Sequence, residues 1–73
     1  MKGRHSAVNL ELLRKERKKR KFTQEDVAKE LGKTSEAYCM QELGYSRIAI
    51  SEAIVIRDMF GFTDEETKEV FGL

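Results

Sequence analysis

The chain has 73 residues, 40% of them apolar, no proline, and a formal net charge of +1. That length supports one small core, so residues 1–73 are expected to form a single domain. No apolar run approaches the ~18 residues that cross a bilayer, no signal-peptide hydrophobic region is present, and the lone Cys39 cannot close an internal disulfide; the chain reads as cytoplasmic, with no membrane partner.

The near-zero net charge hides a division. Residues 1–33 carry 11 Lys and Arg against 5 Asp and Glu, a balance of +6, whereas residues 34–73 carry 3 against 8, a balance of −5. A chain polarised in this way turns one face to a polyanion and the other away from it. With no proline and almost no alternation of β-branched residues, helices are the default.

In chain order, Met1 to Ala7 is short and polar. Its His5 has no second His, Cys or acid at metal-ligand spacing and reads as solvated. Asn9, or Ser6, caps a first helix that runs to about Arg20, with Val8 and Leu13 as its staple and Leu10 and Leu13 inward. The second half of that helix, RKERKKRK from Arg14 to Lys21, has seven basic residues in eight. Such a run is either a solvated helix face or a set of phosphate contacts, and Arg20 and Lys21 are the candidates for phosphate because they lead into the next helix.

Thr23 N-caps a second helix with Asp26 as its reciprocal partner, Phe22 stapled onto Val27, and Val27, Ala28 and Leu31 inward. Gly32 suits the left-handed position that ends a helix. Thr34 and Ser35 offer the cap of a third helix through Ala37, Tyr38 and Gln41, which Gly44 stops. Two short helices joined by a tight glycine-containing turn have the spacing of a helix-turn-helix, here residues 23–44. Ala28 is small where the third helix crosses closely over the second. Leu43 to Ile50 is a loop. A fourth helix covers about Ile50 to Phe60, and its apolar residues exceed one face, which suggests a covered outer surface. After Gly61, Thr63 and Glu66 form the capping box of a last helix, Asp64 to Phe71. Val70, Phe71 and Leu73 either pack back on the first helix or join Val55 in a dimer seam, and the seam is the favoured reading.

At Thr23-Gln24, Leu31-Gly32, Thr34 and Glu42-x-Gly44, with an apolar position at Tyr38, the sequence resembles the phage repressor and Cro-type helix-turn-helix proteins, also called XRE-like. It is closer still to small regulators of Gram-positive phages, whose pattern is similar to Tyr38-x-x-Gln41-Glu42-x-Gly44 followed by Ile50-x-Glu52-Ala53. The resemblance extends from about Leu13 to Phe71. It implies a compact all-α, five-helix domain with the third helix in the DNA major groove. It also implies a partly buried ion pair between Arg17 and Glu42 that ties the first helix to the third. Gln24, whose amide can bond a phosphate or a base edge, is expected to brace the DNA backbone and the recognition helix together and counts among the base-facing residues. Thr34, Ser35, Glu36 and Met40 are expected to face the bases, with Cys39 beside them, Ala37 and Tyr38 inward and Gln41 at the boundary. Thr23, Tyr45, Ser46 and Arg47 fall where relatives meet the sugar-phosphate backbone; for Tyr45, Ser46 and Arg47 the competing reading is a plain surface loop. Relatives place a capping Ser or Thr where this chain has Ala49, so either Ser51 caps a shorter fourth helix or the cap is weak.

The base-facing set holds no Arg for guanine and no Asn or Gln at the helix start for adenine. Ser35 is promiscuous, Glu36 can accept from cytosine N4, and Met40 can press on a thymine methyl, so shape readout and phosphate contacts are expected to carry much of the affinity. An enzyme has little to stand on: there is no Cys with a base, no phosphate loop, no metal cluster and no sign of a cofactor or small-molecule substrate. The sequence reads as a phage- or mobile-element-type transcriptional regulator that binds double-stranded operator DNA as a homodimer. The alternative is a protein-interaction module, antirepressor- or antitoxin-like, that retains the fold.

Overall fold

The computed structural model describes residues 8–73; His5 and the alternative cap Ser6 lie outside them. Five helices follow one another: α1 (Leu10–Lys19), α2 (Gln24–Leu31), α3 (Ser35–Leu43), α4 (Ile50–Phe60) and α5 (Asp64–Phe71). The chain is all-α, as expected. Its helix starts are chemically specified. Asn9 Oδ1 accepts from the Leu12 N–H at 3.1 Å, and the Oγ1 atoms of Thr23, Thr34 and Thr63 accept from the N–H groups of Asp26, Ala37 and Glu66 at 3.0–3.1 Å. Each bond satisfies a donor that the helix itself leaves orphaned. Asp26 and Glu66 return the bond to the backbone N–H of their caps, completing a capping box on α2 and on α5.

The fourth helix is the exception. It begins at Ile50, neither shortened by a turn nor capped by Ser51. Ala49 has no side-chain acceptor, and only the return half of a box is present, from the Ala49 N–H to Glu52 Oε1 at 3.0 Å. The turn from α1 into α2 is also unlike the others. No glycine stands there, and Lys21 takes the left-handed conformation itself at φ 64°, a strained choice for a side-chain-bearing residue. Gly44 has a stronger reason to be glycine: at φ 89° it closes α3, and a Cβ there would sit 3.2 Å from Leu10 Cδ1.

Leu13, Val27, Ala28, Tyr38, Ala53, Ile56, Phe60, Phe62, Val70 and Phe71 form the core. The α2–α3 contact is the most extensive, with α1 packed on α3 and α5 and α2 on α4; Ala28, 1% exposed, lies in the core. A row of rings crosses the base of the molecule, Phe22 stacked on Phe60 at 5.5 Å, Phe60 edge-on to Phe62 at 5.4 Å, and Phe62 tilted against Phe71 at 6.3 Å. Two members of the expected dimer seam belong to this interior. Val70 and Phe71 are 1% and 3% exposed, and the Asn9 N–H donates to the Val70 carbonyl at 2.6 Å. A small chain has too few apolar residues to leave these outside, so α5 closes the core against α1. Leu73, 52% exposed, and the half-buried Val55 remain at the surface.

Candidate nucleic-acid interface

Arg14, Arg17 and Arg20 recur every third residue and therefore share one side of α1. That side turns toward the protein. Arg14 Nη1 donates to the Glu42 carbonyl at 2.7 Å, and Arg17 Nη1 to the Phe22 carbonyl at 2.8 Å. Arg20 donates from Nε to the Phe60 carbonyl at 2.7 Å, pairs with Glu16 through Nη1, and lies over the rings of Phe60 and Phe62. The expectation of a phosphate contact at Arg20 is therefore corrected: its guanidinium is occupied in holding α1 to the end of α4. The lysines take the other side. Lys15, Lys18, Lys19 and Lys21 are all exposed, the division expected when forked guanidinium groups fill buried polar sites and strongly hydrated ammonium groups stay in water.

Glu42 is the hub of the motif. It is fully buried on α3, with Arg17 Nε 2.7 Å from Oε2 and Arg17 Nη2 3.2 Å from Oε1. The Gln24 Nε2 at the start of α2 donates to the same Oε1 at 3.1 Å. Burial pushes the Glu42 carboxyl up, but the bonds from Arg17 and Gln24 outweigh it and hold the group below the usual carboxylate range. Tyr38, fully buried, has its phenol pushed up, by burial first and by the neighbouring Glu42 carboxylate second. Gln24, half-buried, is thus braced from behind. One amide hydrogen is committed to Glu42, leaving the second and Oε1 for an outside partner.

Along α3, Thr34 and Glu36 are exposed, Ser35 and Cys39 are half-buried, and Met40 is 45% exposed. Gln41 is not at a boundary. It is 2% exposed and donates from Nε2 to the Arg47 carbonyl at 2.9 Å and to Glu52 Oε1 at 2.8 Å. This anchors the loop after α3, where Tyr45, Ser46 and Arg47 are exposed, Tyr45 by 80%. Glu52 in turn pairs with Lys33 of the α2–α3 turn. Burial pushes its carboxyl up, but the bonds from Lys33, Ala49 and Gln41 outweigh that, so the net shift is downward.

Sequence reading missed this second hub. Lys33, Gln41 and Glu52 lie up to 19 positions apart with no spacing rule to connect them. Arg14 and Arg20 did carry a signal, being arginines at a spacing of three among lysines.

A glycine-containing turn between two short helices, the second with an open outer side bearing Glu36 and Met40 and a braced amide beside it, is a helix-turn-helix. The family model described as Helix-turn-helix matches residues 13–66. The chain belongs to that XRE-type family of DNA-binding transcription regulators. No curated protein and no solved structure matches it. Among the described residues, no helix is long and apolar enough to cross a membrane, and no group of His, Cys, Asp and Glu is placed to hold a metal ion.

Proposed function

We propose that the chain is a cytoplasmic regulator of phage or mobile-element type that binds operator DNA as a homodimer, one α3 entering the major groove of each half-site. The observation that carries this reading is the split of α3 into a buried side, Tyr38, Gln41 and Glu42, and an open side bearing Glu36 and Met40. Thr34, Ser35, Glu36 and Met40 face the bases in this reading. Glu36 takes the exocyclic amine of cytosine and Met40 the methyl of thymine. Gln24, already held by Glu42, reaches the DNA with little further loss of side-chain freedom. Thr23, Lys21, Tyr45, Ser46 and Arg47 meet phosphates.

The test is selection of bound sequences from random duplex DNA, followed by affinity measurement across a salt series. The expected result is a two-fold symmetric site and a log–log salt slope of roughly −0.9 for each phosphate neutralised. Replacing Gln24 and Ser35 together by Ala lowers affinity for that site about tenfold or more, on the scale of ~1–3 kcal/mol for a good base contact, with the circular dichroism spectrum unchanged. Absence of binding to any duplex at low salt overturns the reading.

A further inference from the structure

With Val70 and Phe71 inside the core, the largest run of apolar residues at the surface of one helix is on the solvent side of α4; Leu43, Tyr45 and Leu73 are exposed elsewhere. Ile50 is 67% and Ile54 40% exposed, and Val55 is half-buried. At 100° per residue, Ser51, Ile54, Val55 and Asp58 fall in one stripe opposite the buried Ala53, Ile56 and Phe60. We infer that this stripe pairs with the same stripe of a second copy, the two α4 helices running antiparallel about a two-fold axis beside Ile54 and Val55, with Asp58 of each capping the first turn of the other. The inference rests on the homodimer reading above and gives it a surface.

Three features fit this occupant. An isologous contact requires a self-complementary surface. Reversing the stripe about its midpoint sets Ile54 against the partner copy's Val55, and Asp58 against its Ser51. The polar ends therefore meet as a carboxylate over a hydroxyl at a helix N-terminus. That N-terminus is the one helix start among the described residues with no side-chain cap, because Ala49 carries no acceptor. Asp58, with its side chain 65% exposed, is held by Arg57, whose Nε and Nη2 both lie 2.9 Å from Oδ1; Oδ2 is left to accept from Ser51 and the orphan N–H groups of the facing helix. One helix pair buries less than the ~800 Å² per partner of a standard stable complex. The dimer is accordingly weak in free solution and is consolidated when two half-sites hold the copies side by side.

The experiment is sedimentation equilibrium over a concentration series, free and on duplexes carrying one or two copies of the selected half-site, for wild type, Ile54→Glu, Asp58→Lys and the double variant Ser51→Glu/Asp58→Lys. Positions 51 and 58 are two helical turns apart within one chain and do not touch, so a new Glu–Lys pair can form only between copies. Ile54→Glu is expected to weaken self-association at least tenfold and Asp58→Lys at least threefold, with the double variant returning to within about twofold of wild type. Circular dichroism confirms that each remains helical. If the wild type dimerises and Ile54→Glu and the charge reversal leave the constant unchanged, the α4 surface is wrong and the homodimer reading stands. If the wild type stays monomeric even on two-half-site DNA, the homodimer reading fails with it.

Discussion

Glu42 shows how one residue joins fold and function. A carboxylate taken fully out of water is costly unless its lone pairs are filled. Here two guanidinium nitrogens of Arg17 and the amide of Gln24 fill them. Glu42→Gln removes the charge and strands Arg17, which is itself 7% exposed. The expected loss is about 3–5 kcal/mol, a large share of the roughly 5–15 kcal/mol that holds a small domain together. Replacing both partners by apolar residues, Arg17→Met with Glu42→Leu, recovers most of it, because no unpaired charge is left behind. Urea unfolding of the two variants decides the matter, and a single variant within 1 kcal/mol of wild type would sink the account. The Arg17–Glu42 pair was legible because both residues sit at motif positions. Which of the six other basic residues of that run turn inward was not, since a continuous cationic run hides the period; the arginine-versus-lysine distinction is the only local mark of it.

At the scale of elements, the helices were legible nearly to the residue because their ends are written in short-range chemistry. Thr23 with Asp26 and Thr63 with Glu66 are complete capping boxes, and glycine ends α2, α3, α4 and α5. What the sequence did not give away was where the ends go. The Gln41–Glu52–Lys33 hub and the burial of Val70 and Phe71 depend on contacts between distant positions, which no local pattern encodes. The missing cap of α4 can be repaired to test the capping argument. Ala49 already has the extended conformation of a cap, φ −71° and ψ 156°. Ala49→Ser therefore adds an acceptor for the Glu52 N–H without moving the chain, and should stabilise the protein by about 1 kcal/mol. For a domain of this size that is a rise in Tm of roughly 4–8 °C, measured at a protein concentration low enough to keep the chain monomeric. An unchanged Tm would mean that the first turn of α4 is satisfied in some other way.

For the whole molecule, the charge division of the sequence is softened by folding. Of the described cations in the first 33 residues, Arg17, Lys19, Arg20 and Lys33 are paired with carboxylates of the protein itself. The same internal pairs set the response to pH. Glu42 and Glu52 are lowered despite burial, by Arg17 and Lys33 above all, and Glu16 is lowered by its bond from Arg20. A carboxyl with a depressed folded pKa contributes stability that is fully present above its unfolded value, about 4.3 for Glu, and is lost as pH falls through the folded one, because the unfolded chain binds protons first. Tyr38 works in the opposite sense. Its pKa is raised by burial, so its contribution is full below the ordinary phenol value of about 10 and declines as pH rises past it. Urea midpoints should therefore be flat from about pH 5 to pH 9, and fall as pH drops below about 4, where the unfolded chain binds protons that Glu42 and Glu52 resist in the fold. Protonating them releases Arg17 and Lys33, freeing the tie from α1 to α3 and the tie from the α2–α3 turn to α4. Loss of DNA binding should then track loss of structure on the acid side, and a chain that kept its midpoint at pH 3 would show that neither hub carries much of the stability.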